Sequence, residues 1–126
     1  MILPGKKKLT SITGKWAEDM ALAHLENKGL ILIERNYRIP AGEIDLIMKD
    51  NELTVFIEVK YRKNNRFYDI RESIDKRKCD RIIKTGLYYQ QSSGAGSDMM
   101  YRFDIVLITG NPDRPGIQWI KDAFIA

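Results

Sequence analysis

Two neighbouring segments of this chain, residues 43–49 and 53–61, alternate apolar and polar side chains with a period of two. The stretch between them is short and polar. Side chains two residues apart on a strand share one face and lie roughly 6.6 Å apart. If the segments pair through a loop of two or four residues, their charged faces coincide. The pattern therefore predicts two paired antiparallel strands with one charged and one apolar face.

The charged face of this predicted hairpin brings two carboxylates and an ammonium together. Glu58 and Lys60 project to one side, and Asp45 stands opposite or diagonal to Glu58, close enough for both to hold one cation. The opposite face takes the apolar residues Ile44, Leu46, Met48, Leu53, Val55, Ile57 and Val59. Such a carboxylate pair is costly on a half-buried sheet unless a metal or an ion-pair network compensates. We interpret the trio as a candidate site; the alternative is a structural ion-pair cluster.

The order Asp, gap, Glu-x-Lys resembles the PD-(D/E)xK signature of the restriction-endonuclease-like superfamily. A longer set of motifs resembles the small bacterial YraN-like family, running in order along nearly the whole chain. The motifs are Gly14-x-x-Ala17-Glu18, Asn36-Tyr37-Arg38, Gly42-Glu43-Ile44-Asp45-Leu46-Ile47, Phe56-Ile57-Glu58-Val59-Lys60-Tyr61-Arg62 and Arg102-Phe103-Asp104-Ile105-Val106. The resemblance implies a restriction-endonuclease-like fold and a nuclease site.

Composition describes one globular domain. A chain of 126 residues with 44% hydrophobic and 30% charged residues can form an ordinary core. A lone Cys79 excludes an internal disulfide, and with the lone His24 it excludes a Cys/His zinc site. No apolar stretch has the length of a membrane span and no signal-peptide region stands at the N-terminus, so we expect a cytoplasmic protein.

Positive charge is concentrated in one region. Residues 60–84 contain ten Lys or Arg against four acidic residues, a local net charge of +6 in a chain of +4. This excess is typical of a solvated helix face, but beside an acidic metal-type site it favours a polyanionic substrate. The predicted nucleic-acid contacts are Arg62, Lys63, Arg77, Arg81 and Lys84.

The remaining pattern predicts an α/β sandwich of three layers, a central mixed sheet flanked by helices. After a flexible basic N-terminus at 1–12, a single domain at 13–126 is expected. The predicted helices span about 13–28 and 71–91, and the other strands span 30–39, 101–109 and 117–120.

By resemblance, Asp45 and Glu58 bind Mg²⁺ or Mn²⁺, the carbonyl of Val59 is a third ligand, and Glu18 approaches the metal directly or through water. The alternative for Glu18 is a solvent-facing helical residue. For Lys60 we expect an ordinary pKa near 10.4, which the carboxylates would raise further and a bound cation would offset; this favours a role in positioning water over accepting its proton. Glu43 shares the face of Asp45 or pairs with Arg38 or Lys60.

The sequence favours a metal-dependent endonuclease that hydrolyses phosphodiester bonds in DNA, with structured or branched forms among the candidate substrates. The alternative is a non-catalytic nucleic-acid-binding module that retains the nuclease fold. A protein-interaction domain would leave the carboxylates unexplained. Whether a homodimer forms stays open. Trp16 and Trp119 are interpreted as packing residues, and Asp104 as a structural partner of Arg102 or a basic helix residue.

Overall fold

Seven elements form the described part of the chain. The computed structural model describes residues 5–63, 75–94, 98–110 and 113–125, with side chains from residue 14 onward. In chain order the elements are α1 (Gly5–Asn27), β1 (Ile31–Ile39), β2 (Gly42–Asp50), β3 (Leu53–Arg62), α2 (Lys76–Ser92), β4 (Tyr101–Thr109) and β5 (Gly116–Phe124).

The five strands form one mixed sheet in the order β1-β2-β3-β4-β5. Neighbouring strands are antiparallel except β3 and β4, which run parallel. A parallel pair needs a long crossover, and α2 lies in that connection. The predicted mixed sheet is confirmed.

The two helices pack against separate clusters of the sheet. Ala17, Ala21 and Leu25 of α1 pack against Leu46, Met48, Val55, Ile57, Val106 and Ile108. Ile82 of α2 packs against Ile44, Ile47, Phe56 and Phe103. The face of β3 carrying Leu53, Val55, Ile57 and Val59 is the predicted one. Ile44 is different: it belongs to the cluster of α2 and not with Leu46 and Met48, so the predicted alternation in β2 is wrong at this residue.

Two glycines allow α2 to lie close to the sheet. A Cβ at Gly42 would come within 2.7 Å of Thr85 Oγ1 and 3.1 Å of the Arg81 carbonyl. A Cβ at Gly86 would come within 3.1 Å of the rings of both Phe56 and Phe103. Since real Cβ atoms avoid such distances, larger residues here would push α2 away from β2 and β3.

The hairpin of β2 and β3 has the predicted even-numbered loop. The strands pair from Asp50↔Leu53 to Leu46↔Ile57, which leaves Asn51 and Glu52 as the turn. Asn51 has φ of 57°, a left-handed conformation that asparagine tolerates better than most residues. The register sets the charged faces of the two strands side by side.

Three element boundaries differ from the sequence prediction. The helix α1 already begins at Gly5, ahead of the predicted start near residue 13. The helix α2 begins at Lys76, because Asp75 is its N-cap with extended backbone; the predicted start near residue 71 is wrong, and residues 71–74 lie outside the described part. β5 runs to Phe124, beyond the predicted end at Ile120.

No helix in the described part of the chain is long and apolar enough to cross a membrane.

Candidate functional site

Asp45 lies where the main-chain pairing of β2 and β3 stops. The pairing ends at Leu46↔Ile57, and the next residue of β2 uses its side chain instead. Asp45 Oδ2 accepts a hydrogen bond of 2.7 Å from the Val59 N–H. Its carboxyl group therefore enters the space between the two strands. Ile44, whose side chain lies on the face opposite to the predicted one, is the neighbour of Asp45 in β2.

Asp45 and Glu58 are held against each other. Glu58 is the residue whose charge acts most strongly on the Asp45 carboxyl group. Burial raises the pKa of Asp45 well above its ordinary value, and the charge of Glu58 raises it further, whereas the Val59 N–H opposes the shift. Glu58 itself is only 5% exposed. Two carboxyl groups thus lie side by side in a largely buried position.

Lys60 lies on the same face, two residues beyond Glu58, and its pKa is lowered to about 8. Burial is the main cause, and the ammonium of Lys78 is the second. The expectation that neighbouring carboxylates raise this pKa above 10.4 is wrong, because the charge of Lys78 and the loss of water outweigh the Glu58 carboxylate. At pH 7 roughly a tenth of Lys60 is therefore neutral.

Sequence reasoning missed Lys78, which it counted only as part of the basic region. Its Nζ lies 2.7 Å from Glu58 Oε2. Although burial lowers the pKa of Lys78, the charge of Glu58 raises it above its ordinary value. A usable signal was present: Lys78 precedes the buried Ile82 by four residues, so both lie on the helix face that meets the sheet.

Glu18 of α1 faces the site and not the solvent. Both of its carboxylate oxygens accept from Asn36 Nδ2 at 3.1 Å, and Oε1 also accepts from Arg35 Nη2 at 3.3 Å. Its charge contributes to the raised pKa of Asp45. The alternative of a solvent-facing helical residue is wrong, since the side chain is 16% exposed. Asn36, with φ of 52°, is a second residue whose role the sequence did not reveal.

Two cavities open onto the carboxylate pair from different sides. One of about 490 Å³ lies between α1 and β3, with Glu18, Lys60 and Tyr61 in its wall. The other, of about 340 Å³, is lined by residues 40–43 of the β1–β2 turn and by Arg81. Asp45, Glu58 and Lys78 line both cavities. A ligand can therefore reach the carboxylates from the side of α1 or from the side of α2.

The basic residues divide into two groups. Arg77, Arg81 and Lys84 are exposed on α2, as predicted. Arg62 at the end of β3 is half-buried, with Nη1 donating to the Tyr61 carbonyl at 2.8 Å, while Lys63 is exposed. Residues 64–74 of the basic region lie outside the described part.

Other charged and aromatic residues have structural partners. Arg38 pairs with Glu43 at 3.1 Å, so Glu43 takes Arg38 as its partner, one of the alternatives expected from the sequence. Arg102 Nε donates to Asp104 at 2.8 Å, and Trp119 Nε1 donates to the same carboxylate at 2.9 Å. Trp16 packs edge-on against Tyr61, with ring centroids 5.4 Å apart, and the packing interpretation of both tryptophans is confirmed.

Fold and site together define a class: a three-layer α/β domain whose two inner antiparallel strands hold a carboxylate pair beside two lysines. The sequence profile of the uncharacterised protein family UPF0102 matches residues 17–108, and the chain belongs to this family. The match confirms the YraN-like resemblance.

Relatives match over most of their length. A UPF0102 protein of Nitrosococcus oceani is 44% identical over 111 residues, which cover 88% of this chain and 90% of the relative. One from Shewanella loihica is 43% identical over 111 residues, covering 88% and 92%. One from Klebsiella pneumoniae is 42% identical over 118 residues, covering 93% and 89%.

Proposed function

We propose that this protein is a metal-dependent endonuclease of the restriction-endonuclease-like type that hydrolyses phosphodiester bonds in DNA. One observation carries the proposal: the buried carboxyl groups of Asp45 and Glu58 lie together beside Lys60 in the wall of an open cavity. A protein gains nothing in stability from pressing two buried carboxyl groups together. A site that binds a cation and a phosphate explains the arrangement.

The donor set fits Mg²⁺ or Mn²⁺. Both prefer oxygen ligands, and Mg²⁺ is commonly held by one or two carboxylates and keeps several waters. In the described part of the chain no group of three or more His, Cys, Asp or Glu side chains is placed to hold a metal ion, so the site has two carboxylates at most. Asp45, Glu58 and the Val59 carbonyl would supply the protein ligands, and Glu18 would act through water. A bound cation would supply Lewis acidity and lower the pKa of its water.

Lys60 is the residue that would act on the attacking water and on the scissile phosphate. It shares the face of Glu58 and lines the 490 Å³ cavity. Its pKa of about 8 leaves most molecules charged at pH 7. The charged form stabilises a phosphate oxygen, and the neutral fraction can accept a proton from water. Both roles are open to Lys60, where the ordinary pKa assumed from the sequence favoured only the first.

The exposed face of α2 supports a polyanionic substrate. Arg77, Arg81 and Lys84 lie on it, and Arg81 also lines the cavity on that side of the carboxylates. Arg62 and Lys63 follow Lys60 at the end of β3. A duplex or branched DNA strand lying along α2 would bring a phosphate to the site while these cations bind its neighbours. A cytoplasmic location fits such a substrate.

Two measurements test the proposal. Cleavage of single-stranded, duplex and four-way-junction DNA with Mg²⁺ or Mn²⁺ should be found for wild type and lost in Asp45→Asn and Glu58→Gln. Calorimetry with Mn²⁺ should show sharply weakened binding in both variants. Glu52→Gln is the matched control, because it removes one charge from the exposed turn of the same hairpin. Unchanged Mn²⁺ affinity in both site variants would remove the metal site.

The same assays separate the enzyme from the non-catalytic module. If wild type binds DNA but cuts none of these substrates with either metal, the binding module is the correct alternative. The placement of Asp45 beside Glu58 and the pairing of Glu18 with Arg35 and Asn36 then serve architecture alone.

A further inference from the structure

Lys78 contacts Glu58 in the place where a cation would be needed. Its Nζ is 2.7 Å from Glu58 Oε2, a charge-assisted hydrogen bond that joins α2 to β3. The side chain of Glu58 is 6% exposed and that of Lys78 is 37% exposed. The carboxylate is thus fixed inside the protein, and the ammonium reaches it from the outer side.

The backbone of Lys78 is fixed, whereas its side chain can move. Asp75 caps α2 and its Oδ1 accepts from the Lys78 N–H at 2.8 Å. Four flexible carbons separate this anchored backbone from the ammonium. A change of rotamer can therefore carry the ammonium away from Glu58 without moving the helix.

There is space for the displaced ammonium within the site. Lys78 lines both cavities that open onto the carboxylate pair. Lys60 lines the larger of these cavities as well, and the two side chains are close enough for the charge of Lys78 to act on Lys60. A phosphate oxygen placed there would meet both.

A divalent cation and the Lys78 ammonium compete for the same oxygen. Two positive groups within bonding distance of Glu58 Oε2 repel each other, and this half-buried position is screened less than the surface. We propose that Lys78 neutralises Glu58 while no divalent cation is bound, and leaves it for the cavity beside Lys60 when the cation binds. The inference rests on the proposed function, and it makes Lys78 a residue that links cation binding to the capture of a substrate phosphate.

The test is Mn²⁺ affinity, measured by calorimetry on the full chain. Lys78→Gln should bind Mn²⁺ more tightly, on the order of tenfold, because a charge-assisted hydrogen bond no longer has to be broken. Lys78→Arg keeps the positive charge and should return the affinity towards wild type. Lys76→Gln is the matched control: it removes one charge from the same helical turn, and its side chain is 89% exposed. Its affinity should stay close to wild type.

The sign of the change decides between displacement and a structural pair. If Lys78 only holds Glu58 in place, Lys78→Gln binds Mn²⁺ equally or more weakly, and the displacement model is wrong while the proposed function stands. If wild type binds no Mn²⁺, the metal site of the proposed function fails together with this inference. Tighter binding with slower single-turnover cleavage in Lys78→Gln supports both halves of the model.

A second measurement uses the wild-type protein and does not depend on a variant that folds. Amine acylation, followed by mass spectrometry, reports how accessible each lysine is. Addition of Mg²⁺ should raise the labelling of Lys78 relative to Lys76, because the ammonium leaves its ion pair. Equal labelling ratios with and without Mg²⁺ would show that Lys78 stays on Glu58.

Discussion

The sheet contains two buried carboxylate clusters that differ in how their charge is satisfied. Asp104, in β4, is fully buried and accepts from three donors: Arg102 Nε at 2.8 Å, Trp119 Nε1 at 2.9 Å and the Asp122 N–H at 2.9 Å. Asp45, between β2 and β3, receives one backbone N–H and otherwise faces Glu58. Burial of a carboxylate is therefore common to both regions, and only in the second does another carboxyl group lie against it.

The comparison shows which buried carboxylate indicates function. The Asp104 cluster is closed, because a guanidinium, an indole and a backbone amide fill both carboxylate oxygens. The Asp45–Glu58 cluster borders two cavities, and burial together with the charge of Glu58 raises the pKa of Asp45. The first cluster stabilises the contact between β4 and β5. The second costs stability, and groups with pKa values perturbed in this way occur preferentially at functional sites.

The largest expected effect concerns chemistry in the second cluster. Lys60→Ala should reduce single-turnover DNA cleavage by roughly 10² to 10³, the loss typical of one group that stabilises transition-state charge. DNA affinity should be nearly unchanged, since one cation among ten in the region contributes little. Lys60→Arg should rescue poorly, because a planar guanidinium does not replace a compact ammonium. Cleavage by Lys60→Ala at the wild-type rate would show that the site is assigned incorrectly.

A substitution in the first cluster, that of Asp104, should change the stability of the protein. Asp104→Asn places an amide N–H₂ among donors and leaves Arg102 without its main partner, so the free energy of unfolding should fall by about 3 kcal/mol. Urea denaturation measures the change. A loss of less than about 1 kcal/mol would mean that the pair behaves like an exposed ion pair, and the distinction between the clusters would weaken.

DNA binding should depend on neither cluster but on the exposed face of α2. Replacing Arg77, Arg81 and Lys84 by Gln should flatten the slope of log K against log salt by up to about three units, roughly one for each lost phosphate contact. Stability should be unchanged, because these side chains are exposed. Filter binding across a salt series measures the slope. A wild-type slope would place the DNA surface elsewhere.

The smallest expected effect sharpens the comparison most directly, because it has the opposite sign to that of Asp104→Asn. Asp45→Asn keeps an acceptor for the Val59 N–H and removes the ionisable carboxyl group that faces Glu58. In chelator at neutral pH it should raise the free energy of unfolding by about 1 kcal/mol, the low end for removing an uncompensated buried charge.

The gain should depend on pH in a defined direction. The pKa of Asp45 is raised in the folded state, so wild type loses stability as pH rises from the unfolded-state pKa of about 3.9 through the folded-state value. The difference between Asp45→Asn and wild type should therefore be small in acid and grow towards neutral pH. Urea denaturation at several pH values measures it. A difference that is constant with pH would show that proton uptake by Asp45 is not the cause.

Much of the local structure could be predicted because it depends on neighbours in the chain. The alternation of β3 assigned its two faces, and the two-residue turn placed Asp45 beside Glu58. For β5, however, the predicted strand ended too early, because the alternation of polar and apolar residues is short. Its continuation to Phe124 relies on Asp122, whose φ of 55° and N–H bond to Asp104 are set by the neighbouring strand.

The sequence by itself determined the hairpin, the helix that carries Glu18 and the grouping of Asp45, Glu58 and Lys60, since strand period and turn length fix these within a few residues. Only the tertiary structure decided how the group is charged. Lys78, on the crossover between β3 and β4, reaches Glu58, and burial together with the charge of Lys78 lowers the pKa of Lys60 to about 8. Charge interactions depend on distance and burial. A local sequence pattern gives neither quantity for two residues that lie twenty positions apart, as Glu58 and Lys78 do.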